Sequence, residues 1–408
     1  MGGSSLTEEN QLMDVTWHLN RTLLAILFVS NFFPFYITVI VFIVECIILA
    51  SLGAFRRIDS RQNASPYLWV FVAYSILISI IYQNYVGIGI SFAFILLIFY
   101  FYYYQTTIKP YYFEELLNIA LISSFVVFIF AFLEHFNYIP EWDYTFISKA
   151  MGRMHRNRVE ATFFNPNYYA MMLEFFIMIG FYKFFKTSKW RKRLAYTFIT
   201  LCNLTTLFFT GSRTALLVVV AAVFVFLYVD GFKQTAIYSF LGACVLLTIL
   251  YFLNLLPRMD DILYAFEDRF VIWDVAVKGL KDNIWFGQGP LTFMNIWQDY
   301  GEKYTQHAHN IVLDTLLSYG IIGSGLLTVA FYPFAKILNK MRQFPQLRRR
   351  LALICSFIAV VLVHGLTDLP IFWIQTAFLF LFIILSAKNM LHEAELGIYR
   401  PQDTKKRS

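Results

Sequence analysis

Charge is what this chain has least of. Only 14% of its 408 residues are Asp, Glu, Lys or Arg, where a soluble domain carries about a quarter. With an apolar fraction of 59% and a mean hydropathy of +0.59, the shortage excludes an ordinary water-solvated globule. Cysteine is nearly as scarce. Cys46, Cys202, Cys244 and Cys355 all lie inside apolar runs and read as small buried hydrophobes, without a disulfide framework or a cysteine metal site. Basic charge is not gathered into a domain, so the net +7 gives no reason to expect a nucleic-acid partner. No fixed-period repeat, low-complexity tract or signal-peptide profile is present, and Leu6 stands where a myristoylation motif wants Ser or Thr.

Aromatic residues, by contrast, are abundant: 19% of the chain, with 45 Phe and 26 Tyr. In a bilayer Phe can face lipid while Tyr and Trp settle at the headgroups. A spanning helix needs about 20 mostly apolar residues. Candidate spans fall near 20–34, 36–55, 67–83, 86–105, 114–135, 167–186, 192–210, 213–229, 234–255, 309–335, 350–366 and 370–388. The first is the weakest, because Asn31 and Pro34 interrupt it. The expected fold is therefore an all-α polytopic membrane protein of about twelve transmembrane helices. Residues 1–19 would be an N-terminal tail, 20–390 the transmembrane domain and 391–408 a C-terminal tail.

Most of the 33 Lys and Arg residues fall in the tails and even-numbered connections, including Arg56, Arg57, Lys183, Lys186, Lys336 and Arg348. The positive-inside rule then puts both ends in the cytoplasm. Two connections become long and external, about 136–166 and 256–308. The second should be a helical cap, with Phe270, Trp273, Val277 and Leu280 along one face of the 268–281 stretch.

Basic residues on the outer side go against this bias. Arg153, His155, Arg156 and Arg158 precede Asn165-Pro-Asn167; Arg213 opens the eighth span within Gly211-Ser-Arg-Thr214; Arg269 lies in the second loop. Guanidinium groups concentrated on one face suit an anion held by several donors, above all phosphate or diphosphate. Long external loops also carry Arg without consequence, which leaves Arg153, Arg156 and Arg158 open, whereas Arg213 at a membrane edge is hard to explain without a partner. Phe286-Gly-Gln-Gly289 reads as a tight turn, since no strand–turn–helix context surrounds it. His309, at the mouth of a helix, is a candidate base. His307 is expected to be an interfacial imidazole bonded to water. Asp368 suits either a pairing with arginine or a share in the chemistry. His307-Ala-His309 lacks companion ligands in the sequence, so no metal is expected.

Asn165-Pro-Asn167, Gly211-Ser-Arg-Thr-Ala-Leu-Leu217, Arg269 with Trp273, Phe286-Gly-Gln-Gly289, and His309-Asn310 with Gly320-Ile-Ile-Gly323 occur in this order. In them the chain resembles the O-antigen ligase and polymerase superfamily of bacterial envelope glycan transferases, over roughly 150–390. The family commonly reads Gly-Thr-Phe-Gly where this chain has Ala161-Thr-Phe-Phe164. The resemblance implies a GT-C-like membrane fold in the bacterial cytoplasmic membrane, with an extracytoplasmic site. It also implies an undecaprenyl-diphosphate-linked glycan donor, a glycolipid or polysaccharide acceptor, and no nucleotide sugar or other cofactor. By that likeness Arg213 and Arg269 would bind the diphosphate and His309 would activate the acceptor hydroxyl, with Asn165, Asn167, Arg158 and Asp368 as possible substrate contacts.

A ligase of O-antigen or teichoic-acid type is the first expectation, because a single modest cap leaves little room to track a growing chain. A polymerase of lipid-linked repeat units is the second. A lipid-linked glycan transporter would put ionisable groups at the bilayer midplane, where this chain has chiefly Glu45 and Glu174.

Overall fold

A computed structural model describes residues 18–57, 66–138, 158–258, 262–301 and 303–399. Arg153, His155 and Arg156 lie outside the described residues. The rest is helical, with no strand among the described residues. In chain order the helices are α1 (His18–Ser30), α2 (Phe35–Ser51), α3 (Pro66–Ile81), α4 (Tyr85–Thr107) and α5 (Pro110–His135). Then follow α6 (Pro166–Lys186), α7 (Trp190–Phe209), α8 (Arg213–Asp230), α9 (Lys233–Phe252), α10 (Ile262–Asp282) and α11 (Phe293–Tyr300). The last four are α12 (Ile311–Met341), α13 (Arg348–His364), α14 (Ile374–Leu385) and α15 (Ala387–Glu395).

Each expected span falls on a helix. Among the described residues seven helical runs are long and apolar enough to cross a membrane: α4, α5, α6, α8, α9, α12 and the joined α14–α15. The helices α1 to α3 are apolar but shorter. The basic starts of α7 (Trp190-Arg-Lys-Arg193) and α13 (Arg348-Arg-Arg350) reduce their apolar length. The chain is an all-helical, multi-pass membrane protein.

Helix α6 is the axis of the bundle. It is apolar all round, the pattern of a buried helix, and packs against α5, α7, α8, α13 and α14. Two smaller clusters flank this core. Phe71, Val72, Ile98, Tyr102 and Tyr319 join α3, α4 and α12, while Ile272, Val275, Phe293 and Ile296 join α10 and α11. Helix α9 buries only Ala236 and lies at the periphery.

Three departures from the sequence reading bear on the site. Helix α10 forms, but its packed face is Ile272, Val275, Ala276 and Gly279, and Phe270 is exposed. Both sets obey a helical period; the choice is made by α11, because Gly279 admits Ile296 where any Cβ would clash at 2.2 Å. The tenth span is broken. Gly320 leaves the helical region (φ 60°, ψ −170°) in the middle of α12, and the freed Ile321 and Ile322 amides donate to the Ile284 and Trp285 carbonyls at 2.9 and 3.0 Å. Gly289 N donates to Ser318 O at 2.7 Å. A Cβ on Gly287 would meet Ser318 backbone at 2.5 Å, and one on Gly320 would meet Phe286 N at 2.4 Å. The Gly-x-Gly loop is thus docked backbone to backbone on the broken helix, satisfying its amides at a depth where water is scarce. Finally, the chain beyond 390 is not simply a tail: α15 continues to Glu395, and Leu391, Ala394 and Tyr399 pack into the main core.

Candidate active site

The site is organised by the turn after α13. Residues 365–368 offer consecutive oxygen atoms, three of them taken by the start of α12 and one by the cap helix α10. Gly365 O accepts from Ile311 N at 2.7 Å, and Leu366 O from Asn310 Nδ2 at 3.0 Å. Thr367 O accepts from Arg269 Nε at 2.9 Å. Asp368 Oδ1 lies 2.9 Å from His309 Nδ1. Thr367 Oγ1 also reaches Thr214, the neighbour of Arg213, at 3.4 Å. One short turn therefore fixes the start of α12, the cap helix α10 and the start of α8 relative to one another.

His309 stands just before the Asn310 cap of α12, whose side-chain oxygen accepts from Val312 N and Leu313 N at 3.0 Å each. Its backbone is left-handed (φ 48°), a strained state for a non-glycine residue. The surroundings hold it there: His307 Nδ1 accepts from His309 N at 3.2 Å, Asp314 Oδ1 accepts from Ala308 N at 2.9 Å, and Trp273 Nε1 lies 3.5 Å from His309 O.

Asp368 is buried, which by itself would favour the neutral acid. The hydrogen bond from His309 and the imidazoles around it outweigh burial and hold its carboxyl well below the usual carboxylate range. A carboxylate only accepts, so His309 donates from Nδ1, and in the neutral ring this puts the lone pair on Nε2. His307 differs from expectation. It is buried beside Asp368, with Nε2 3.8 Å from Oδ1, and burial drives its pKa down to about 4. A neutral imidazole whose Nδ1 is already an acceptor fits a structural part.

The arginines gather on the neighbouring elements, and Arg269 reaches the turn that carries Asp368. Arg158, buried, donates from Nε to Thr210 O at 2.6 Å and from Nη2 to Asn167 Oδ1 at 2.5 Å. Arg213 donates to Arg258 O at 2.6 Å. Arg258 and Arg158 both lie against Gly211, with side-chain atoms 3.3 and 3.4 Å from where a Cβ would stand. Burial and then the Arg258 and Arg213 guanidinium groups lower the Arg158 pKa to about 10. The N-termini of α6 and α8 open at the same place, and their dipoles add to a positive potential. Asn165 is committed to that architecture, since its side chain caps α6 by accepting from Asn167 N at 2.8 Å.

Both positions where the resembling family has glycine are left-handed here, Ala161 at φ 46° and Phe164 at φ 60°. The backbone conformation persists without the glycine. Glu134 helps to hold it, accepting from Ala161 N at 2.9 Å.

His307, His309 and Asp368 also have the spacing of a metal-ligand group, with ligand atoms within 4.8 Å of one another. Sequence spacing could not show this, since Asp368 is 59 residues away from His309. A metal would have to displace the Nδ1 proton that Asp368 now accepts.

Residues 197–328 match the family model described as O-antigen ligase. Over that third of the chain the sequence is similar to the O-antigen ligase family. The matched stretch runs from α7 to beyond the break in α12 and contains Arg213, Arg258, Arg269, the Gly-x-Gly loop and His309. Arg158 and Asp368 lie outside it, and the structure joins them to it. No curated protein matches the chain. The family points to a membrane glycosyltransferase of ligase or polymerase type, with lipid-linked glycan and polysaccharide partners in general.

The sequence reading passed over Arg258, Thr367 and the buried pair Glu174–His364, whose Oε1 and Nδ1 are 2.7 Å apart. Its other unexplained acid, Glu45, accepts from Tyr100 OH at 2.8 Å. Nothing in the local sequence around Arg258 marks it. His364-Gly-Leu-Thr-Asp368 carried the signal for the turn, a cluster of polar residues breaking two apolar runs.

Proposed function

We propose that the chain transfers a glycan from an undecaprenyl-diphosphate donor to a hydroxyl of a glycolipid or cell-envelope polymer, on the outer face of the bacterial cytoplasmic membrane. The observation that supports this is the His309–Asp368 pair on the turn that also holds Arg269 and reaches Thr214, next to Arg213. His309 Nε2 takes the proton of the acceptor hydroxyl as its oxygen attacks the anomeric carbon. The bond from that carbon to the diphosphate oxygen breaks in the same step, with inversion. Asp368 stabilises the imidazolium and keeps the ring in its tautomer. The leaving undecaprenyl diphosphate gains negative charge, and Arg213 and Arg269, backed by Arg158 and Arg258, receive it. Exposed Leu217, Leu362 and Leu366 at the rim suit the prenyl tail.

The orientation rests on the positive-inside bias. A ligase and a polymerase share donor and machinery and differ in acceptor, and the modest cap of α10 and α11 favours the ligase. The test is transfer from a labelled undecaprenyl-diphosphate oligosaccharide, by purified protein, without nucleotide sugar. Wild-type protein should release undecaprenyl diphosphate and label an acceptor, and His309→Ala should do neither while still inserting. Label on a second lipid-linked repeat would identify a polymerase. Full transfer by His309→Ala would remove the role given to that residue.

A further inference from the structure

A second cationic cluster lies at the other end of α6. Glu114 of α5 is buried, and three cations converge on its carboxylate: Lys183 Nζ at 3.0 Å, Lys186 Nζ at 2.6 Å and Arg350 Nη2 at 2.8 Å. Tyr182 OH donates to the same group at 2.6 Å. The side chains of Lys183, Lys186 and Arg350 are 8%, 15% and 5% exposed, so this is three positive charges on one negative charge in a poorly hydrated place. Glu115, the next carboxylate along, is engaged with Arg21 at 2.8 Å. Glu393 also interacts with Arg350, yet Arg21, Lys183, Lys186, Lys192 and Arg350 still outnumber the three carboxylates, and that excess favours an anion.

A place for that anion exists. Three lysines, Lys183, Lys186 and Lys192, and two carboxylates, Glu114 and Glu115, line a cavity of about 130 Å³. It shares Glu115 and Asn118 with a groove of about 530 Å³ between α1 and α5, whose wall includes Ala25, Ile26, Tyr112 and Ile119. Trp190, Tyr111 and Tyr196 stand at helix ends around it, the position aromatic residues take at headgroup level. On the orientation proposed above this end faces the cytoplasm, where anionic lipids attract basic residues.

We infer that the Lys183–Lys186–Lys192 cavity binds the phosphodiester of an anionic phospholipid, whose acyl chain lies in the groove between α1 and α5. A free phosphate would satisfy the lysines equally but would have no use for the adjoining groove, and the groove's position beside the lysines decides for the lipid. The site is independent of the transfer chemistry and sits about 30 Å from it, the length of α6.

The experiment uses the full chain, stripped of lipid in a neutral detergent. Dioleoyl phosphatidylglycerol, dioleoyl phosphatidylcholine and inorganic phosphate are titrated separately, reading the unfolding midpoint by tryptophan fluorescence and retained lipid by native mass spectrometry. Phosphatidylglycerol should raise the midpoint and stay bound, and the other two should not. Each neutralised lysine should weaken its binding about fivefold, so Lys186→Gln with Lys192→Gln should lose about 25-fold. Lys192 is exposed, so Lys192→Gln alone gives the smaller loss even where the pair disturbs folding. Asn118→Trp, which fills the shared wall but keeps every lysine, should also abolish lipid binding. Equal shifts with phosphatidylcholine or with inorganic phosphate would overturn the inference, as would phosphatidylglycerol affinity unchanged in these variants.

Discussion

The two ends of α6 both gather basic side chains, and they differ in what those side chains touch. At its C-terminal end Lys183, Lys186 and Arg350 close on the Glu114 carboxylate. At its N-terminal end Arg158, Arg213 and Arg269 donate to the carbonyls of Thr210, Arg258 and Thr367. The carboxylate offsets part of the charge gathered on it, and the carbonyls orient the guanidinium groups that donate to them. The first arrangement ties α5, α6 and α13 together through one side chain, and the second is the one proposed to receive the leaving diphosphate.

This contrast predicts opposite phenotypes. Glu114→Gln leaves three buried cations without their carboxylate and should lower stability by about 3–5 kcal/mol, read as a fall in the thermal unfolding midpoint in detergent. A variant as stable as wild type would mean that the C-terminal cluster is already neutralised by other means. Arg213→Ala should leave that midpoint nearly unchanged and cut glycan transfer by about 10²–10³-fold, the effect of removing one preorganised donor to a developing anion. Loss of folding in Arg213→Ala would erase the distinction between the two ends.

The helices were legible because hydropathy alone specifies a spanning segment, and all twelve expected spans lie on helices. Arg213, Arg269 and His309 were legible as polar residues at apolar boundaries. What connects them was not. The turn 364–369 acts chiefly through backbone carbonyls, which every residue possesses, so no residue type announces it. The same holds for Gly287 on Ser318 and Gly320 on Phe286, where two glycine motifs proved to be halves of one backbone contact. The face of α10 was misjudged because two apolar stripes share one period, and only the partner helix α11 selects between them. Glu174 and His364 are 190 residues apart, beyond any spacing argument.

Smaller effects sharpen the account of the N-terminal end. His307 has its folded pKa lowered to about 4 from 6.5 by burial, so between those values the unfolded chain binds the extra proton. Stability contributed by keeping His307 neutral is therefore complete above pH 6.5 and is lost as pH falls towards 4, by up to about 3 kcal/mol. Asp368, held below the usual carboxylate range, contributes above its unfolded pKa of about 3.9 and fades only below it. Unfolding midpoints of wild type and His307→Asn across pH 4–7 check this: the variant should show a flatter acid limb, and identical limbs would contradict it. Least of all, Ala161→Gly relieves a left-handed alanine and should stabilise by about 1 kcal/mol. A lower midpoint would mean that the alanine methyl packs better than its backbone is strained.

The pairing of Asp368 with His309 is the centre of the proposed mechanism, and Asp368→Asn tests it most directly. The amide keeps the shape of the turn but can donate to Nδ1, which moves the imidazole proton to Nε2 and removes the base. Single-turnover transfer from a labelled undecaprenyl-diphosphate glycan, at saturating donor, should fall by at least about a hundredfold, with donor affinity unchanged. A rate within twofold of wild type, with the donor still bound, would show that His309 does not depend on Asp368 and that the base lies elsewhere.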